Sequence, residues 1–169
     1  MASSIPLRTR GFEIDDLGTY LSGAWTIERS VVDRRGERLE FGGNAFVDAA
    51  GGGELVYNER AILRSNPDIG AFSRTYRYVP TSATSADVRF EDGSFFYRLE
   101  LARARCRARH DCGEDVYLGF ILVTESTWLT RWRCSGPTKD YVVTTTLRRS
   151  GSRALRAGGT EGRDAVNLG

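Results

Sequence analysis

The chain has 169 residues, 40% of them hydrophobic, and 24 basic against 22 acidic side chains give a net charge of +2. That length and apolar content fit one domain around one core, and the near balance of charge argues against a protein that coats nucleic acid. No run of 18 apolar residues occurs, so no helical membrane insertion is expected; three cysteines, Cys106, Cys112 and Cys134, are too few and odd in number for a disulfide framework and read as reduced thiols of an intracellular, cytoplasmic protein.

Residues 1–12, "MASSIPLRTRGF", carry two arginines and no acid. They read as a flexible terminus, with an organelle-targeting leader as the alternative. The next stretch, "GFEIDDLGTYLSG", holds the one predicted helix. Leu17, Tyr20 and Leu21 recur at helical spacing, Asp15 or Asp16 is placed to cap it, and Gly23 to end it.

From there the period is two. "AWTIERSV" puts Trp25, Ile27, Arg29 and Val31 on one face, and "LEFGGNAFV" groups Leu39, Phe41, Gly43, Ala45 and Val47. "ELVYNERAIL" groups Leu55, Tyr57, Glu59, Ala61 and Leu63; "FSRTYRYV" groups Phe72, Arg74, Tyr76 and Tyr78. "ADVRFEDGSFFYRLEL" reads as two strands around a turn at Asp92-Gly93. Then come "RARCRARHDC", "VYLGFILVT", "TWLTRWRC" and "YVVTTTLRR", for about nine or ten strands in all. Residues 150–169, rich in Gly, Arg and Ser, read as a disordered tail. The domain is therefore expected over residues 13–149. Consecutive antiparallel strands must close or bury their edges, which predicts an all-β, lipocalin-like up-and-down barrel with a short N-terminal helix.

On the strand "RARCRARHDC", Arg103, Arg105, Arg107 and Arg109 share one face, and Ala104, Cys106, Ala108, His110 and Cys112 the other. A barrel does not readily bury four arginines on one strand, so the arginines are expected outside and His110 inside. The strip has no interleaved aromatics for stacking on bases, so nucleic acid is not the expected partner. In "VYLGFILV" the outward row Val116, Leu118, Phe120 and Leu122 is apolar and needs a cover. The N-terminal helix or a partner subunit would serve, leaving a monomer or a dimer.

Following parity inward, Arg29 and Glu59 should pair, since either alone would be costly to desolvate. Arg74 and Tyr76 are candidates to clamp a carboxylate or phosphate. His110, the sole histidine, is open to three roles: a ligand contact, an acid–base group, or a packed core residue. Cys106 lies about 13 Å from it along a strand, too far to share a metal, and His110, Cys112 and Asp115 need not converge, so no metal site is expected. No cofactor is expected either; haem held by His110 alone is the alternative. Lys139, in the turn "GPTKD", either fixes that turn or grips an anion at the cavity mouth.

Two resemblances extend this reading. Gly23 and Trp25, after a short helix, resemble the Gly-x-Trp opening of lipocalin-like barrels, in which a late-strand arginine packs over the Trp; Arg131 and Arg133 are the candidates for that arginine. Six motifs stand in order: Gly23-Trp25-Arg29; Phe41-Gly43-Ala45-Phe46; Tyr57-Glu59; Phe90-Asp92-Gly93; His110-Cys112-Asp115-Tyr117; and Trp132-Arg133-Gly136-Pro137-Lys139-Asp140-Tyr141. Together they resemble an uncharacterised lipocalin-like family of bacteria and eukaryotes known only as a domain of unknown function, over roughly residues 17 to 149. The resemblance implies the barrel and no established activity.

Three functions follow as expectations. The first is a carrier or sensor holding an acidic, partly apolar small molecule, with Arg29, Glu59, Arg74, Tyr76, His110, Tyr117, Arg133 and Lys139 as ligand contacts. The second is an isomerase or hydrolase, with His110 as base, Asp115 and Tyr117 beside it, and Arg133 as oxyanion donor. The third is an interaction subunit using the outer faces of residues 116–122 and 103–109.

Overall fold

The computed structural model describes residues 11–151, so most of the expected flexible terminus or leader and most of the expected tail lie outside the described residues. The period-two stretches form ten antiparallel strands: β1 (Gly23–Asp33), β2 (Arg38–Ala49), β3 (Leu55–Leu63), β4 (Ala71–Pro80), β5 (Ser85–Phe90), β6 (Phe95–Glu100), β7 (Arg105–Cys112), β8 (Asp115–Val123), β9 (Thr127–Ser135) and β10 (Asp140–Arg149). The hydrogen-bonded order is β6-β5-β4-β3-β2-β1-β10-β9-β8-β7. This is a nearly closed up-and-down barrel. β1 pairs with β10, as in Trp25 opposite Arg149, and thereby joins the first strand to the last.

One junction has no ladder. β6 and β7 follow each other closely in sequence but are not hydrogen-bonded neighbours. The cause is local: Ala104 has φ 57, and its carbonyl accepts from Val123 N at 2.8 Å, so the chain turns toward β8 instead of folding back on β6. Arg103 therefore sits in the connecting turn and not on the strand. Side chains span the gap: His110 Nδ1 is 3.0 Å from Phe96 O, and Cys106 Sγ is 3.7 Å from Arg98 O.

The single helix, α1 (Leu17–Leu21), is capped by Asp16, whose carboxylate accepts from Thr19 N at 2.7 Å. It closes the end of the barrel that carries the β4–β5, β6–β7 and β8–β9 turns. Leu17 N bonds Ala83 O, and the Tyr20 hydroxyl donates to Thr124 O and Thr127 O. Phe12, placed by sequence in the flexible terminus, packs its ring 5.8 Å from that of Tyr20. Beneath the helix lies the driest layer, with Leu21, Trp25, Val47, Leu99, Leu101, Ile121, Trp128 and Leu147 all buried.

The arginine over Trp25 is Arg149, not Arg131 or Arg133. Its guanidinium lies 4.3 Å from the Trp25 ring and donates to the carbonyls of Ser22 and Tyr20. Alternation explains the correction: Leu147 points inward, so Arg149 does too, whereas inward Trp132 sends Arg131 and Arg133 out. α1 is fully used as a plug, so it does not cover the outer face of β8. Leu118, Phe120 and Leu122 remain 50%, 36% and 40% exposed.

Candidate ligand-binding site

Between the plug and the open end the barrel is hollow, with a cavity of about 340 Å³. Its volume is at the low end of the range for small-molecule sites. β1, β3 and β4 supply a polar floor. Arg29 meets Glu59 through two parallel bonds, Nη1 to Oε1 at 2.6 Å and Nη2 to Oε2 at 2.7 Å, and its Nε donates to Thr145 Oγ1 at 2.8 Å. The Tyr57 hydroxyl donates to Glu59 Oε2 at 2.5 Å. The sequence places these groups together because β2 separates β1 from β3 and carries small residues in between: Gly43 and Ala45, opposite Ile27 and Trp25, leave room for Arg29 to reach across. A side-chain carbon on Gly43 would meet the Arg60 carbonyl of β3.

Electrostatics at this floor are tightly matched. Burial pushes the Glu59 carboxyl up, and the Arg29 guanidinium, the Tyr57 hydroxyl and Arg74 more than offset it, holding the carboxyl below the usual range. Burial and then Glu59 push the Tyr57 hydroxyl far up, so it stays protonated and donates. Arg74 is the group left over. It stands 3.9 Å from Glu59 Oε1, half-exposed, with its guanidinium 5.8 Å from the Tyr76 ring centre. Two guanidiniums thus face one carboxylate, and the floor carries one surplus positive charge.

An aromatic wall rises beside it. Phe96 stacks on Phe90 at 4.6 Å and on Trp132 at 4.9 Å, and Tyr76 stacks on Phe96 at 5.5 Å. Trp132 lies flat over Gly119, where an added side-chain carbon would stand 2.7 Å from the ring. Flat aromatic faces beside a cation suit a planar or apolar acid. Sequence reasoning missed Phe90, Phe96 and Trp132 as lining residues; Phe90 and Trp132 share the parity of buried Val88 and Trp128, whereas Phe96 is the immediate neighbour of buried Tyr97, where the β5–β6 register shifts and alternation gives no guide.

His110 and Tyr117 line the third side, with ring centres 5.9 Å apart. A carbonyl oxygen only accepts, so the His110 bond to Phe96 O puts a proton on Nδ1. In the neutral ring, Nε2 then keeps its lone pair. Tyr141 stands beside Tyr117, and both hydroxyls are pushed up; burial is the main cause and Cys134 adds to it in both, while the bond between the two raises Tyr141 and lowers Tyr117.

The expected site divides. Arg29, Glu59, Arg74, Tyr76, His110 and Tyr117 line one cavity. Arg133, Lys139 and Asp115 do not. Arg133 points outward and pairs with Asp140 at 3.1 Å. Lys139 closes the β9–β10 turn onto Asp115 at 2.6 Å, the turn-fixing role of the two expected for it. The Asp115 carboxylate packs against Gly136 and accepts from Lys139, so it is engaged in the turn and does not line the cavity. Cys112 lines the cavity mouth. Among the described residues no three His, Cys, Asp or Glu side chains converge as metal ligands, and no helix is long and apolar enough to cross a membrane.

The model of a family of unknown function (DUF6314) matches residues 21–149, which span all ten strands. The chain belongs to that family. No curated protein matches the sequence. Among solved structures, the S-type phycobiliprotein lyase CPES from Guillardia theta superposes with a TM-score of 0.63 at 7% identity, covering 83% of this chain and 94% of that one. A protein of unknown function of the DUF3598 family from Nostoc punctiforme superposes with a TM-score of 0.56 at 9% identity, covering 79% of this chain and 49% of that one. This member of DUF6314 thus spans about half the length of the Nostoc protein. At such identities the likeness is one of fold.

Proposed function

We propose that the protein is a carrier or sensor that holds one small, acidic and partly apolar molecule inside the barrel. The observation that carries this reading is a surplus guanidinium, Arg74, at the edge of a stacked aromatic wall in a hollow of about 340 Å³. The ligand's ring or chain lies on Phe96 and Trp132, and its acid group meets Arg74, with the Tyr76 hydroxyl as a further donor. Arg29 is saturated by Glu59, so it sets the floor and keeps Glu59 charged. A thermal-shift panel of aromatic acids, fatty acids, their neutral amides and haemin tests the reading. Acids are expected to raise the melting temperature, their amides to do so far less, and Arg74→Ala to flatten the difference. Silence across the whole panel would defeat the proposal.

A second reading, catalysis at the same cavity, is favoured by one observation: His110 Nδ1 is tied to a carbonyl, which leaves Nε2 as a base beside Tyr117. Asp115 and Arg133, expected as its helpers, are paired with Lys139 and Asp140 and do not line the cavity, so this reading rests on two residues. His110→Gln separates the two. A carrier keeps its ligand affinity, whereas an enzyme keeps affinity and loses turnover of a bound ester or carbonyl compound.

A further inference from the structure

The outer wall of β7, β8 and β9 sets exposed apolar side chains between arginines. Along β8 the outward side chains Leu118, Phe120 and Leu122 are exposed and apolar. Register sets an arginine beside each on β7: Arg109 opposite Leu118, Arg107 opposite Phe120, Arg105 opposite Leu122. On β9, Arg133 stands opposite Leu118 and Arg131 opposite Phe120, and Leu129 continues the apolar row opposite Leu122. The surface is a greasy trough between two arginine walls. Asp111 engages Arg109 and Asp140 engages Arg133, while Arg105, Arg107 and Arg131 are in no ion pair among the described residues.

We propose that this trough docks an amphipathic helix of a partner protein, one with an apolar stripe flanked on both sides by acidic residues. Width and charge both point there. The arginine rows are two inter-strand spacings apart, about 9.5 Å, close to the diameter of a helix with its side chains, about 10 Å. The apolar stripe of such a helix would rest on Leu118, Phe120 and Leu122, and carboxylates on its flanks would reach Arg107 on one side and Arg131 on the other. A second copy of the same wall does not fit, because a two-fold contact would face arginine with arginine. A nucleic acid strand would want a series of aromatic platforms, and the trough offers one, Phe120. A lipid surface is disfavoured because an apolar row that enters lipid must reach beyond its neighbours, and here the arginines opposite it on both flanks have the longer side chains.

The test uses the full chain and a synthetic helical peptide of about 18 residues, with leucines at i, i+3, i+4 and i+7 spacing and glutamates on both flanks. Fluorescence anisotropy of the labelled peptide should show saturable, one-to-one binding that weakens as salt rises. Arg107→Glu/Arg131→Glu should weaken it at least tenfold and should gain affinity for the same peptide with lysine flanks. If that variant does not fold, Arg107→Gln/Arg131→Gln serves, and a tenfold loss with an unchanged melting temperature carries the same meaning. Four results would overturn the proposal: no saturable binding, equal binding of the lysine-flanked peptide by the wild type, capture by phosphatidylserine vesicles without peptide binding, or a wild-type dimer that Phe120→Glu splits into monomers. Arg74→Ala should leave peptide binding unchanged, so failure here and failure of the cavity reading are separable.

Discussion

Arg29 has each of its three guanidinium nitrogens engaged, by Glu59 twice and by Thr145 once. Removing one member of such a buried pair strands the other, a loss of about 3–5 kcal/mol. Arg29→Met should therefore lower the free energy of urea unfolding by about that much, and Arg29→Met/Glu59→Met should recover much of the loss, because no buried charge is left alone. The pair also makes stability depend on acidity. The folded Glu59 carboxyl lies below its ordinary value, so its contribution is complete above a pH of about 4.3 and is lost as the pH falls through the lower, folded value. Urea midpoints measured across that acidic range should fall in the wild type, and the part due to Glu59 should vanish in Glu59→Gln. At this scale the sequence was legible where parity and charge coincide: Arg29 and Glu59 were inward, ionic and on nearby strands, so they had to meet. It was misleading at Arg133, where chemistry was read without parity; at Lys139, in a turn, parity offers no guide and both its readings stayed open. Arg149 was overlooked although Leu147, two residues before it, already pointed it at Trp25.

Strands are placed by what they alternate, and the glycines show where alternation alone is insufficient. Gly119 on β8 faces inward and leaves the space that Trp132 of β9 fills. Gly119→Ala should push the indole toward Phe96 and into the hollow. The expected result is a folded barrel whose acid-dependent thermal shift is reduced, with little change in the unliganded melting temperature. An undiminished shift would mean that Trp132 is not part of the ligand's bed. All ten strands and α1 were readable from period and punctuation, and the outward arginines followed from the cost of burying them. The missing β6–β7 ladder was not readable. A four-residue connection between two strands looks like a hairpin, and only the left-handed backbone at Ala104 diverts the chain. His110 gains its meaning from that gap, since it reaches Phe96 O across the place where backbone bonds are absent.

The described residues form a cup. α1, Trp25, Trp128 and Arg149 seal one end; the hollow occupies the middle and opens at the other end, near Cys112 and Tyr141. The three tryptophans sample this axis. Trp25 donates its indole N–H to Leu21 O at 2.9 Å. Trp128 Nε1 has no hydrogen-bond partner among the described residues and sits among the rings of Trp25, Tyr57 and Tyr78. Trp132 alone of the three lines the cavity. Their indole N–H signals in a proton–nitrogen correlation spectrum therefore report where a ligand sits. Titrating the acid that most raises the melting temperature should move the Trp132 signal together with the backbone amides of Arg74 and Thr145, and leave the Trp25 signal nearly still. Shifts confined to Leu118, Phe120 and Arg131 on the outer wall, or no shift at saturating acid, would contradict a ligand held inside the barrel.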